Sequence, residues 1–137
     1  GRKLIHSDGH SLSSLLNRVG ATADRARSNP VWANQADALI DFWDGARDVI
    51  SRLRERNGPE AFDDATLFLR AFGHGIVAWL RLDQVLVESD TASPALREGL
   101  VHCCRFFFEA ELPQAETWMD IVAGQSDIAR SIPEYVF

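Results

Sequence analysis

From Leu67 to Val85 the apolar and small residues fall at Leu67, Ala71, Gly75, Ala78, Leu82 and Val85, always three or four positions apart. A strand would alternate with period two. This spacing instead keeps one face of a 3.6-residue helix apolar. The same rhythm runs through Leu39, Ile40, Trp43, Ala46, Ile50 and Leu53, and again through Leu96, Leu100, Cys103, Phe107 and Ala110. The chain is therefore built from helices.

Helix punctuation divides it. Asn29-Pro30 has the form of an N-cap with proline at the first helical position, Asn57-Gly58-Pro59 of one helix stopping and the next starting, and Ser93-Pro94 of another start. The segments so defined run from about His10 to Ser28, Val31 to Asn57, Glu60 to Ser89 and Ala95 to Ala123. Short connections between long helices make sequential neighbours antiparallel, which predicts an all-α, up-down-up-down four-helix bundle. At 137 residues the chain has room for one core. The expected organisation is a junction over 1–9, the bundle over 10–125 and a short tail over 126–137. In that tail Ile132-Pro133 breaks any helix, and Tyr135, Val136 and Phe137 are apolar enough to dock.

Charge excludes some partners. A net charge of −6 and a pI near 5.1 repel nucleic acid and anionic membrane surfaces, which are bound through clustered Lys and Arg. Arg52, Arg54 and Arg56 lie close together, but at a helix C-terminus, where positive charge complements the dipole. No run approaches the roughly 18 apolar residues of a membrane span. The two cysteines, Cys103 and Cys104, are adjacent and imply no disulfide framework, so a reducing cytoplasm is expected.

Few residue groups suggest chemistry. Asp37, Asp41, Asp44 and Asp48 align on one helical face, a pattern that can bind divalent cations. That face points away from the Leu39/Trp43/Ile50 stripe, so a solvated acidic row is expected. His102, Cys103 and Cys104 splay through about 200° and cannot converge on one ion. Cys103 is expected in the core with Leu100 and Phe107, and His102 outside with Arg105 and Glu109. His74 lies between Gly73 and Gly75, and each mid-helix glycine costs about 1 kcal/mol relative to alanine, which points to close approach by a neighbour. Asp83 falls among the apolar positions of the same helix and, if buried, needs an arginine or backbone partner. Leu69, Phe72, Ile76, Trp79 and Leu80 widen that helix's apolar arc, so it is either central or covered by something else. His74, Trp79 and Asp83 are thus the candidate pocket or interface residues. No catalytic, cofactor-binding or metal-ligating residue is assigned, because no nucleophile elbow, phosphate-binding glycine loop, Cys-x-x-Cys or His-Glu-x-x-His motif occurs.

Three stretches carry a resemblance. GRKLIHSDGHSLSSLL at the start, FLRAFGHGIVAWLRLDQVLV over 68–87 and RFFFEAELPQAETWMDIVAGQSDI over 105–128 are similar to the branch of the bacterial acyl-CoA dehydrogenases that carries an extra C-terminal helical domain, methylthiopropionyl-CoA dehydrogenases included. Arg2, Lys3, Leu4, Asp8 and Gly9 match its junction, while His10 departs from the small residue usual there. The resemblance implies that the chain begins where a catalytic module ends. It also implies that FAD, the acyl-CoA thioester and the proton-abstracting glutamate belong to that upstream module, the natural partner of this domain within a homo-oligomer. Glu109, Glu111 and Glu116 inherit no such role. The competing expectations are an autonomous helical module that dimerises or grips a partner through its third helix, and a small-molecule-binding bundle with His74 in its cavity.

Overall fold

A computed structural model describes the backbone of residues 9–54, 59–87 and 93–131, and the side chains of 11–54, 65–87 and 93–124. Helices α1 (Gly9–Arg27), α2 (Ala33–Arg54), α3 (Pro59–Val87), α4 (Pro94–Phe106) and α5 (Leu112–Ser131) account for nearly all of it, and a π-helical turn, Phe107–Glu111, joins the last two into one continuous rod. The fold is an all-α four-helix bundle, and no strand occurs among the described residues. The expected tail is helical as far as Ser131, while Ile132, Pro133, Tyr135, Val136 and Phe137 and the junction residues 1–8 lie outside the described residues.

Helix α3 is the centre of the bundle and packs against every other rod. Contacts along it give the directions. Arg18 and Arg25 of α1 meet Trp79 and Asp83 in the same order, whereas Arg70 and His74 meet Trp118 and Glu111 in reverse order. So α1 runs parallel to α3, and the α4–α5 rod runs antiparallel to it. Phe68, Leu39, Leu82 and Leu112 are almost wholly buried, each worth about 1.5–3 kcal/mol of transfer free energy.

The start signals behave differently in detail. Ser93 caps α4 as expected, its Oγ accepting from Leu96 N at 3.2 Å with Pro94 at the first helical position. Asn29-Pro30 does not cap α2. Asn29 Oδ1 instead accepts from Val31 N at 3.0 Å, an Asx turn, and the first helical carbonyl is that of Trp32, which accepts from Ala36 N at 2.9 Å. The helix therefore begins at Ala33, three residues after the proline.

The α4–α5 seam corrects the expected register. Cys104, Phe108, Leu112, Ala115, Met119 and Val122 are buried, whereas Cys103 is exposed and Leu96 is 53% exposed. The π turn explains the shift. Leu112 N donates to Phe107 O, one residue further back than in an α-helix, so two turns from Cys104 to Leu112 take eight residues in place of about seven. Proline at 113 favours this turn, since it cannot donate to the carbonyl of Glu109 and its ring needs room there.

Gly75 marks the closest helix approach. A Cβ at this position would overlap the Phe42 ring and lie 3.0 Å from Trp43 Cζ2. The absent side chain lets Phe42 and Trp43 of α2 lie against α3, where Trp43 stands edge-on to Phe72 at 5.0 Å between centroids and Phe72 in turn meets Phe68. Gly73 has no such neighbour.

Candidate functional site

The three residues singled out on α3 go to two separate places. His74 faces the π turn. Its Nδ1 lies 3.3 Å from the carbonyl of Arg70, its Nε2 lies 3.4 Å from Glu111 Oε2, and its ring packs against Phe107 at 5.7 Å and edge-on to Trp118 at 4.9 Å. Arg70 covers the other side of Trp118 at 5.7 Å. The Nδ1–H satisfies the carbonyl one turn back, and the charge pairing with Glu111 exists only when the imidazole holds its second proton. Both ring nitrogens thus have partners inside the domain. The π turn is what aims Glu111 and Phe107 at this ring.

Trp79 and Asp83 face α1 and meet at Thr22. The indole N–H of Trp79 donates to Thr22 Oγ1 at 2.9 Å, the Thr22 hydroxyl donates to Asp83 Oδ1 at 3.1 Å, and Arg25 pairs with Asp83 while also reaching Thr22 Oγ1 at 3.4 Å. Arg18 stacks over Trp79 at 5.3 Å. Asp83 is only partly buried, and it pairs with Arg25. Thr22 is only 2% exposed, and its hydroxyl uses its donor and both acceptor positions in fixing α1 against α3. A lone threonine in a run of alanines gave no sign of this in the sequence.

The aspartate row is solvated, as its helical position implied. Asp37 pairs with Arg27 at 3.4 Å, Asp44 with Arg47 at 3.9 Å and Asp48 with Arg52 at 3.2 Å, all on the surface, where each pair contributes little. Asp41 instead lies near Glu116 of α5. Burial, together with the charges of Asp120 and Asp41, holds the Glu116 carboxyl above its ordinary range. Among the described residues no three His, Cys, Asp or Glu side chains are placed to share a metal ion. His102 is exposed, while burial pushes the Cys104 thiol up to about 12 despite Arg81 and Arg105 nearby. Arg105 itself stacks over Trp32 at 5.5 Å.

The family described as acetyl-CoA dehydrogenase C-terminal like matches residues 15–133, nearly the whole chain. The chain belongs to that family. No curated protein and no solved structure matches it. Within an acyl-CoA dehydrogenase C-terminal-type domain, the π turn and the Thr22 cluster are two separate helix-locking devices, one on each flank of α3. The family domain's first matched residue, Leu15, packs onto the core from α1. No helix among the described residues is long and apolar enough to cross a membrane.

Proposed function

We propose that this chain is the C-terminal accessory domain of an FAD-dependent acyl-CoA dehydrogenase of the branch with an added helical bundle, and that it packs on the catalytic module or across a subunit interface of a homo-oligomer. The observation that carries the reading is the family match over 15–133. In this reading the whole enzyme desaturates an acyl-CoA thioester between its α and β carbons. The domain itself supplies surface and rigidity.

The described residues do not fit a flavin. A dinucleotide needs several converging donors for its diphosphate and its ring edge. The buried side-chain atoms without a partner among the described residues are Gln35 Oε1 and Trp43 Nε1, one acceptor and one donor on α2.

The test compares the natural full-length polypeptide with the 137-residue chain. Released flavin and acyl-CoA-dependent reduction of an artificial electron acceptor are measured on both. Flavin and turnover in the full polypeptide alone are the expected result. A full polypeptide without flavin, or stoichiometric flavin on the isolated chain, overturns the reading.

A further inference from the structure

Helix α4 is weakly held for a member of a bundle. Of its 13 residues only Cys104 is buried, and Pro94 to Gly99 are all exposed. It packs on α3, and Arg105 adds a stack on Trp32. A helix with so few buried contacts opens at low free-energy cost. Its direction is set by the π turn that joins it to α5, since an irregular turn in a helical rod is where the rod bends.

One imidazole spans that turn. His74 of α3 packs on Phe107, the first residue of the turn, and its Nε2 lies 3.4 Å from Oε2 of Glu111, the last. Its Nδ1 lies 3.3 Å from the Arg70 carbonyl. A neutral imidazole carries a single N–H, so it can donate to the carbonyl or to the carboxylate but leaves the other contact unmade. The imidazolium donates to both, and the bond to Glu111 becomes charge-assisted. The other charged groups near the ring do not compete for this place. Arg70 opposes the second proton but is held over Trp118, Arg81 lies near Cys104, Glu109 is exposed, Asp83 pairs with Arg25, and Glu116 lies near Asp41 and Asp120. Asp63 and Asp64, outside the described side chains, start about 15 Å back along α3.

We propose that His74 is a proton-operated latch on α4. The imidazolium ties the Arg70 carbonyl to Glu111, pins both ends of the π turn to α3 and so holds α4 against the bundle. Loss of the proton frees the turn and lets α4 swing away from α3. An imidazole ordinarily holds its second proton only below about pH 6.5. The closed form is the one that binds the proton, so its stabilisation is complete in mild acid and is lost as pH rises through neutrality. The latch is independent of the accessory-domain reading.

The test follows amide hydrogen exchange in the natural full-length polypeptide, peptide by peptide, at about pH 5.5 and about pH 8, with rates corrected for the intrinsic pH dependence of exchange. Protection of α4 relative to α5 is expected to fall about threefold at the higher pH, the effect of one partly exposed ion pair. His102 also titrates on α4, one turn from Glu98, so variants identify the group responsible. Glu111→Gln and His74→Gln are each expected to abolish the pH dependence with far-UV circular dichroism unchanged, and His102→Gln is expected to keep it. Equal α4 protection at both pH values in the parent overturns the latch. A pH dependence that survives Glu111→Gln overturns the pair as its cause. An equal loss of protection in α4 and α5 overturns the hinge at the π turn.

Discussion

Gly73 and Gly75 are two residues apart on one helix, and replacing each with alanine is expected to have opposite effects. Helix propensity favours alanine by about 1 kcal/mol at either position. At Gly73 the new methyl meets nothing within 4 Å, so Gly73→Ala keeps that gain and raises stability by about 1 kcal/mol. At Gly75 the methyl overlaps the Phe42 ring and crowds Phe42 Cδ1 and Trp43 Cζ2, each at 3.0 Å. Neither ring has free space to move into. Phe42 is 5.8 Å from Trp43 in an edge contact, and Trp43 is held by Phe72 on its other side. Overpacking of this kind costs about 1–3 kcal/mol, and with two rings displaced the upper end applies, leaving Gly75→Ala about 2 kcal/mol less stable than the parent. The variants should thus differ by about 3 kcal/mol, or on the order of 10 °C in Tm. Urea unfolding followed by far-UV circular dichroism measures both, with the m-value as a check that compactness is unchanged. A Gly75→Ala protein as stable as Gly73→Ala would refute the claim that close helix approach keeps the second glycine.

Three other outcomes follow from the clusters on α3 and α5. Thr22→Val leaves the Trp79 indole N–H buried without an acceptor and should cost about 1–3 kcal/mol, whereas Thr22→Ser keeps the hydroxyl and should recover most of it in the same denaturation assay. In native protein at pH 8, Ellman's reagent should titrate Cys103 and leave Cys104 untouched, with both thiols reacting once urea unfolds the chain. Because burial raises the Cys104 thiol from its ordinary range to about 12, the folded state holds that proton more tightly, so its contribution is complete below about pH 9 and is lost as pH rises toward 12. Cys104→Ala should flatten that alkaline decline. Glu116 is also raised, by burial first and then by Asp120 and Asp41. Its charged form therefore weakens the fold at neutral pH, Glu116→Gln should stabilise there, and the difference should vanish as pH falls below the ordinary carboxylate range.

Legibility in the sequence followed the range of the forces involved. Ser93-Pro94 was readable because a cap involves a hydroxyl, an amide three residues on and a proline, all local. Asn29-Pro30 has the same appearance but forms an Asx turn, since the helix starts only where Trp32 can be buried against the bundle. The outward orientation of the aspartate row was readable because a helix face is a matter of rotation per residue. Cys103 was expected in the core but is exposed, and Cys104 is the buried cysteine, because the seam passes through a π turn further along the rod whose phase shift cannot be read from apolar spacing alone. Of the candidate residues, Asp83 announced its need for a partner, but Thr22 and Arg25, 61 and 58 residues away, did not announce themselves as that partner.

Periodicity, capping and proline act within a turn or two of the backbone, and they set the long helices, where most of them are interrupted and which face of α2 is acidic. Tertiary structure alone decided that α3 lies at the centre, that Gly75 faces an aromatic layer while Gly73 faces outward, that His74 belongs to one flank and Trp79 with Asp83 to the other, and which cysteine is buried. Those outcomes depend on which helix lies against which, a choice made by long-range packing of whole faces, and two neighbouring residues of the same type can then receive opposite roles.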